Sequence, residues 1–258
     1  LRIAFTIIYN GYHHLTHNNY AERMLSMFDK WVIVEGFSKN GGSTSWCNNL
    51  HFSANSFDHT VEFLIELKSR YPEKVILEIP TKPWKSKDEQ VNKCIELLKG
   101  YENNWLWQID IDEQWNLCDL INAENSLEKN DNLCGAFQFT HYLCKNDFGQ
   151  QLIGVGKWGS NYNNRLWWWT GGKFISHEPP IMENQKKIIY LNQKYNHYSY
   201  YFEEDIIFKA KYYKGYNQLF INWNKLKKQK YDFPISVKHL LGTSTKVDYK
   251  NSYIDVLQ

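Results

Sequence analysis

The first half of the chain alternates short, unbroken apolar runs with stretches of helical period. Residues 2–8 read Arg-Ile-Ala-Phe-Thr-Ile-Ile, a buried strand stopped by Asn10-Gly11. Residues 18–28 then place Tyr20, Met24, Leu25 and Phe28 at helical spacing. Trp31-Val32-Ile33-Val34 is a second continuous run, the pattern of a parallel strand covered on both faces. It ends in Glu35-Gly36 and enters a Gly/Ser/Asn-rich stretch over residues 38–45. Asp58 can cap a helix reaching about Tyr71, with Val61, Leu64 and Ile65 as its apolar stripe. Residues 75–79 form a third strand. Ser86-Lys87-Asp88-Glu89 is a capping box, and its helix shows Val91, Cys94, Ile95 and Leu98 before stopping at Gly100. A fourth strand follows over residues 105–113.

This β-α-β-α-β-α-β order predicts an α/β fold with a doubly wound, parallel N-terminal half. In such sheets ligands bind beyond the carboxyl ends of the strands, where Glu35, the loop after Ile79 and the pair Asp110 and Asp112 all fall. From about Asp131 strands follow one another without clean helices between them, over residues 133–142, 151–157, 164–169 and 173–177. An antiparallel addition to the sheet is expected there. A helix over residues 200–213 carries Phe202, Ile206, Ala210 and Tyr213 on one stripe, and the lysine-rich run 225–230 reads as a solvated helix face.

The composition removes several classes of function. The 258 residues can bury a substantial core, and 30 basic against 28 acidic residues give a net charge of +2 that calls for no nucleic acid. The longest apolar runs fall far short of the ~20 residues of a membrane span. Five cysteines without a CxxC pair, no N-x-S/T sequon and no signal-like opening lead to the expectation of a reducing, cytoplasmic setting. Nothing in the sequence speaks to oligomeric state. Aromatic residues make up 17% of the chain, with 11 Trp and 18 Tyr, a surplus that suits a ligand with flat apolar faces.

The densest chemistry lies at Trp105-Leu-Trp-Gln-Ile-Asp-Ile-Asp-Glu113. In an extended strand Asp110 and Asp112 share a face while Ile109 and Ile111 point to a core. Carboxylates that close repel unless a cation lies between them, and hard oxygen ligands suit Mg²⁺, Mn²⁺ or Ca²⁺. Spacing alone leaves a strand running into an Asp-rich turn as the competing explanation.

The order of strand 1 with Tyr9-Asn10, strand 2 ending in an acid before a Gly/Ser loop, a capped helix and then Ile-Asp-x-Asp-Glu resembles the GT-A nucleotide-diphospho-sugar glycosyltransferases of the family-2 kind. The later Arg165-Leu166-Trp167, His177-Glu178 and His197-Tyr198-Ser199 segments, followed by Lys209, add to that likeness, and there is distant similarity to the bisecting N-acetylglucosaminyltransferase-like family. The likeness covers roughly residues 2–213. It departs where that family has Arg-Asn and this chain has Gln90-Val91-Asn92-Lys93, and where the acid after strand 2 is Glu35 rather than Asp.

The resemblance implies a single GT-A, Rossmann-like catalytic domain over 1–258. A nucleotide-binding half would span about 1–113, an acceptor-side half 114–215 and a helical tail 216–258. It implies a metal-dependent, inverting hexosyl- or N-acetylhexosaminyl-transferase. The donor would be a nucleotide-diphosphate sugar, UDP-linked first and GDP- or dTDP-linked otherwise. The acceptor would be a glycan or a protein- or lipid-linked hydroxyl, and the cofactor Mn²⁺ or Mg²⁺. Asp110, Asp112 and His197 would hold the metal. Thr6, Tyr9, Glu35, Lys85, Gln90, Asn92, Asp110, Trp167 and Trp169 would contact the nucleotide-sugar. Glu178 would be the base that takes the acceptor proton, with Glu203, Glu204 and Asp205 as rivals. Several of these have plain structural alternatives: a turn acid for Glu35 and Glu178, a solvated charge for Lys85, a core histidine for His197. A sugar-nucleotide pyrophosphorylase would need a Gly-rich phosphate loop after strand 1, which Tyr9-Asn10-Gly11-Tyr12-His13-His14 does not supply. A non-catalytic carbohydrate-binding protein would have no use for the Asp110 and Asp112 pair.

Overall fold

The computed structural model describes residues 1–155, 162–232, 235–236, 240 and 253–257. Its first half runs β1 (Arg2–Ile8), α1 (Tyr12–Thr16), α2 (Tyr20–Met27), β2 (Lys30–Glu35), α3 (Thr60–Arg70), β3 (Val75–Glu78), α4 (Lys87–Leu97) and β4 (Asn104–Gln108). The second half continues with β5 (Glu113–Gln114), α5 (Leu117–Ser126), β6 (Leu133–Lys145), β7 (Gln151–Val155) and β8 (Asn163–Trp169). Then come β9 (Phe174–His177), β10 (Pro180–Met182), β11 (Lys187–His197), α6 (Glu203–Tyr212), α7 (Leu219–Lys227), β12 (Ile235–Ser236) and β13 (Tyr253–Leu257).

Strands β3, β2, β1 and β4 lie side by side and parallel. Antiparallel strands extend the sheet from β4 through β8, β6, β7, β13 and β12, and β11 runs parallel to β6. This is the expected α/β class, a mixed sheet with a parallel N-terminal half and antiparallel additions. The unbroken apolar runs are explained by burial on both faces. Along β1, Ile3 and Phe5 enter one core cluster while Ala4 and Ile8 enter another; along β2, Val32 and Val34 separate from Trp31 and Ile33 in the same way. Helices α2, α3 and α5 cover one face and α4 covers the other. A third cluster joins β6, β7, α6 and α7 around Leu143, Ile206 and Trp223.

Local signals placed several ends correctly. Ser86 Oγ caps α4 by accepting the Glu89 amide at 3.1 Å, while the Glu89 carboxylate reaches back to the Lys85 amide. Asn10 adopts φ 51° at the end of β1, a conformation asparagine tolerates. Gly36 closes β2 with φ +118°, and a Cβ there would meet Pro80 at 2.4 Å.

Other expectations need correction. The buried stripe of α3 is Thr60, Leu64 and Leu67, because the helix starts at Thr60 and Ile65 turns outward at 53% exposure. β4 ends at Gln108, and the Glu113 amide bonds to the Asp110 carbonyl at 3.0 Å to close a turn. Asp110 and Asp112 therefore sit on that turn rather than alternating along a strand. α1, α5 and β11 were not expected. Among its described residues the tail carries helix α7 and the strand residues of β12 and β13, and the expected extension of β7 to Lys157 lies outside the described residues. No helix among the described residues is long and apolar enough to cross a membrane.

Candidate active site

At the carboxyl ends of β1, β2 and β4 the sheet opens into a cavity of about 690 Å³, a size typical of small-ligand sites. The N-terminal half supplies Tyr9, Ser38, Gln90, Asp110 and Asp112 to its wall. The second half closes over it with Arg165, the β9–β10 turn containing Glu178, His197 at the end of β11, and the face of α6 carrying Asp205 and Lys209.

Two charge clusters organise the floor. Arg165 donates to both Glu113 oxygens, from Nε at 2.9 and 3.2 Å and from Nη2 at 2.8 Å, and Nη2 reaches Asp110 Oδ2 at 2.9 Å. Glu113 is fully buried. Burial works against the Arg165 charge, but Glu113 and Asp110 hold the guanidinium protonated well beyond its ordinary range. Burial likewise opposes charge on Asp110, and Arg165 prevails, lowering its pKa. Asp112 has a separate set of partners, His197 Nε2 at 3.5 Å and Lys209 Nζ at 3.7 Å. Against the cost of burial, His197 and Lys209 keep its carboxyl well below the usual range. Each aspartate is thus matched to its own protein cation, which offsets the repulsion that their spacing suggests.

The same floor suits a divalent cation at one end. Asp112 Oδ2 and His197 Nε2, 3.5 Å apart, have the separation of two ligands that each lie roughly 2.1 Å from one ion. Asp112 and His197 could hold such an ion, while Asp110, the third expected ligand, faces Arg165.

Two further groups point into the cavity. Lys87, in the first turn of α4, has no carboxylate of the described residues within ion-pair distance. Burial disfavours its charge, yet Tyr212, Glu178 and Asp110 more than offset this and raise its pKa. Among the described residues the cavity wall carries four acids: Asp110, Asp112, Glu178 and Asp205. Asp205 is held by His14 Nε2 at 2.7 Å and His13 Nε2 at 3.3 Å. Glu178 alone of the four has no ion-pair partner, and its amide is anchored to Ser43 Oγ at 3.2 Å. Asp88 fixes this turn from below, accepting the His177 amide at 2.7 Å and the Ser43 amide at 2.7 Å. His177 itself is buried, which pushes its pKa down to about 4 and leaves the ring neutral.

Of the residues expected at the site, Tyr9, Gln90, Asp110, Asp112, Glu178 and His197 line the cavity, as does the rival Asp205. Thr6 does not: it is buried between strands, donating to the Ile109 carbonyl at 2.8 Å and accepting from Trp31 Nε1 at 2.9 Å. Glu35 is fully buried and binds the Ser56 amide and hydroxyl, both at 2.7 Å, tying down the loop beyond β2. Lys85 lies outside the wall, and Lys87 two residues on takes the inward position because α4 has begun. Asn92 grips the Phe174 backbone through both its amide atoms, at 3.0 and 2.9 Å. Trp167 and Trp169 face the core beside Phe174 and Met182, so neither is a sugar platform. Glu203 and Glu204 are exposed on α6 and absent from the wall. Arg165 entered the sequence reading only as part of a resemblance; its pairing with Glu113 and Asp110 spans more than fifty positions of sequence and leaves no local signal.

No protein-family model matches the chain, and no curated protein matches it. Distant likenesses exist among solved structures. One is the crystal structure of 4-diphosphocytidyl-2C-methyl-D-erythritol synthase, at 12% identity and TM-score 0.36 over 65% of this chain and 74% of that one. Another is S. aureus TarS 1-349, at 14% identity and TM-score 0.40 over 77% of this chain and 61% of that one.

Proposed function

We propose that this protein is a divalent-cation-dependent, inverting glycosyltransferase of GT-A type, moving a sugar from a nucleotide-diphosphate donor, UDP-linked in the first instance, to a hydroxyl of a glycan or a lipid- or protein-linked acceptor. One observation carries the proposal. A single cavity at the strand carboxyl ends gathers Asp112 with His197, the inward cations Lys87 and Lys209, and a carboxylate, Glu178, that has no ion-pair partner among the described residues.

The division of labour follows from the charges. Donor binding brings a diphosphate to the Lys87 and Lys209 side of the cavity, where charge-assisted hydrogen bonds hold its oxygens. Asp112 and His197 would hold a Mn²⁺ or Mg²⁺ ion, which would supply Lewis-acid stabilisation of negative charge on the diphosphate. Tyr9 offers its ring to the nucleoside. Glu178 accepts the proton of the acceptor hydroxyl while that oxygen bonds to the anomeric carbon from the face opposite the leaving group. The electron pair of the broken bond leaves with the nucleoside diphosphate. Asp205 is unsuited to the base role, because His14 and His13 stabilise its charged form against burial and lower its pKa.

The test is incubation with UDP-, GDP- and dTDP-sugars, a panel of glycan acceptors and Mn²⁺, with the released product identified. Nucleoside diphosphate release that depends on both metal and acceptor supports transfer. Release of pyrophosphate would instead identify a nucleotidyltransferase and overturn the proposal.

A further inference from the structure

We propose that His13, His14 and Asp205 form a site for a divalent transition-metal ion, Zn²⁺ best of all, separate from the Asp112 and His197 pair. Among the described residues this is the one cluster of three or more His, Cys, Asp or Glu side chains whose donor atoms all lie within 4.8 Å of one another. The strand-ending turn at Asn10-Gly11 leads straight into α1, which sets the two histidine rings side by side with centroids 4.4 Å apart. Both Nε2 atoms face one carboxylate in the first turn of α6, at 3.3 Å from Oδ1 and 2.7 Å from Oδ2. His14 is almost fully buried at 4% exposure. The Phe202 ring stands edge-on to both imidazoles at 4.9 Å and walls them off.

The donor set gathered around Asp205 is what points to a metal. Asp110 is matched by Arg165 and Asp112 by Lys209, cations that carry a permanent charge, and His197 is a second partner of Asp112. Among the described residues Asp205 has only imidazoles within ion-pair distance, and an imidazole exchanges its proton for a metal at neutral pH. Two nitrogen donors and one carboxylate favour Zn²⁺, Co²⁺ or Mn²⁺ over Mg²⁺ and Ca²⁺, which prefer all-oxygen shells. His14 and Asp205 also line the main cavity, so an ion here keeps coordination positions open toward whatever occupies it. The ion would clip α1 to α6, joining positions 191 residues apart, and so hold the cavity wall closed.

The experiment is a Co²⁺ titration of the full-length, EDTA-treated protein without any nucleotide, followed by visible absorption, with Zn²⁺ added in competition and melting temperature recorded for each form. The expected result is one ion per chain, a cobalt spectrum of low coordination number that Zn²⁺ abolishes, and a higher melting temperature with Zn²⁺ but not with Mg²⁺. His14→Gln and Asp205→Asn should each weaken binding by at least about tenfold, and His13→Gln serves if either fails to fold. His51→Gln, at an exposed histidine outside the cavity wall, should leave the titration unchanged. Absence of stoichiometric binding, or binding lost in Asp112→Asn but kept in His14→Gln, overturns the proposal. Because no nucleotide is present, either result is independent of whether the protein transfers sugars.

Discussion

Replacing Arg165 with Met tests the charge network that builds the cavity floor. The side chain is 6% exposed and its partner Glu113 is wholly buried. Methionine fills most of the volume but removes three hydrogen bonds to Glu113 and one to Asp110. Asp110 is 30% exposed and can turn to water. Glu113 cannot, and keeps only Trp115 Nε1 at 3.3 Å. Breaking one side of a buried pair costs about 3–5 kcal/mol. At roughly 2–4 °C per kcal/mol for a chain of this size, the melting temperature should fall by about 6–20 °C. The pH dependence gives a second signature. Burial already pushes the Glu113 carboxyl above its usual range, and Arg165 restrains that rise. Without Arg165 the folded-state pKa climbs further above the unfolded value of about 4.3. An acid shifted this way destabilises the fold increasingly as pH rises from the unfolded pKa to the folded one. The deficit should therefore be largest at pH 8 and shrink towards pH 5. Calorimetric melts of Arg165→Met and of Arg165→Met/Glu113→Gln measure both effects, and the double variant should recover a substantial part of the loss. A single variant that melts within about two degrees of the parent, or a deficit that grows on acidification, refutes the reasoning.

Glu178→Gln should leave nucleotide and metal affinity near the parental values while transfer falls by ~10²–10⁴, the usual worth of a positioned base; equal turnover would remove Glu178 from the mechanism. His197→Ala should act in the opposite order, weakening metal-dependent nucleotide binding in calorimetry before any defect in chemistry. Lys87→Met should lose a charge-assisted contact of about 1.5–3 kcal/mol, a roughly 10- to 100-fold drop in affinity for a nucleoside diphosphate with little change for the bare nucleoside. Ser86→Ala removes the α4 cap and should cost about 0.5–2 kcal/mol in denaturant melts.

The parallel half was legible because its strands are buried on both faces and its helices carry caps: Trp31–Val34 and the Ser86 box are local statements that hold wherever they occur. β11 was not, since Lys187, Ile188 and Tyr190 are half-exposed or exposed along much of it and only Leu191 and Tyr195 bury deeply. Its role comes from pairing with β6, a contact about fifty residues back in sequence. At the site, the topology alone puts Asp110 and Asp112 at the strand ends that line the cavity, while Tyr9 came with the resemblance. Trp167 and Trp169 show the limit of that approach, because strand alternation gives two faces without saying which one is core. Lys87 was missed for a similar reason: Lys85 and Lys87 look equivalent in a lysine-rich loop until the start of α4 turns one inward. The histidine pair of α1 carried no motif, and only the arrival of α6 from the far end of the chain gives it a partner.

Isothermal titration of the purified protein with UDP, GDP and dTDP, each with Mn²⁺ and again with EDTA, tests the central claim most directly. The account predicts that at least one of them binds once per chain when Mn²⁺ is present, that EDTA weakens this strongly, and that Asp112→Asn reproduces the EDTA result while melting normally. Folded protein that binds none of the three, or binds one equally well with EDTA, would contradict it.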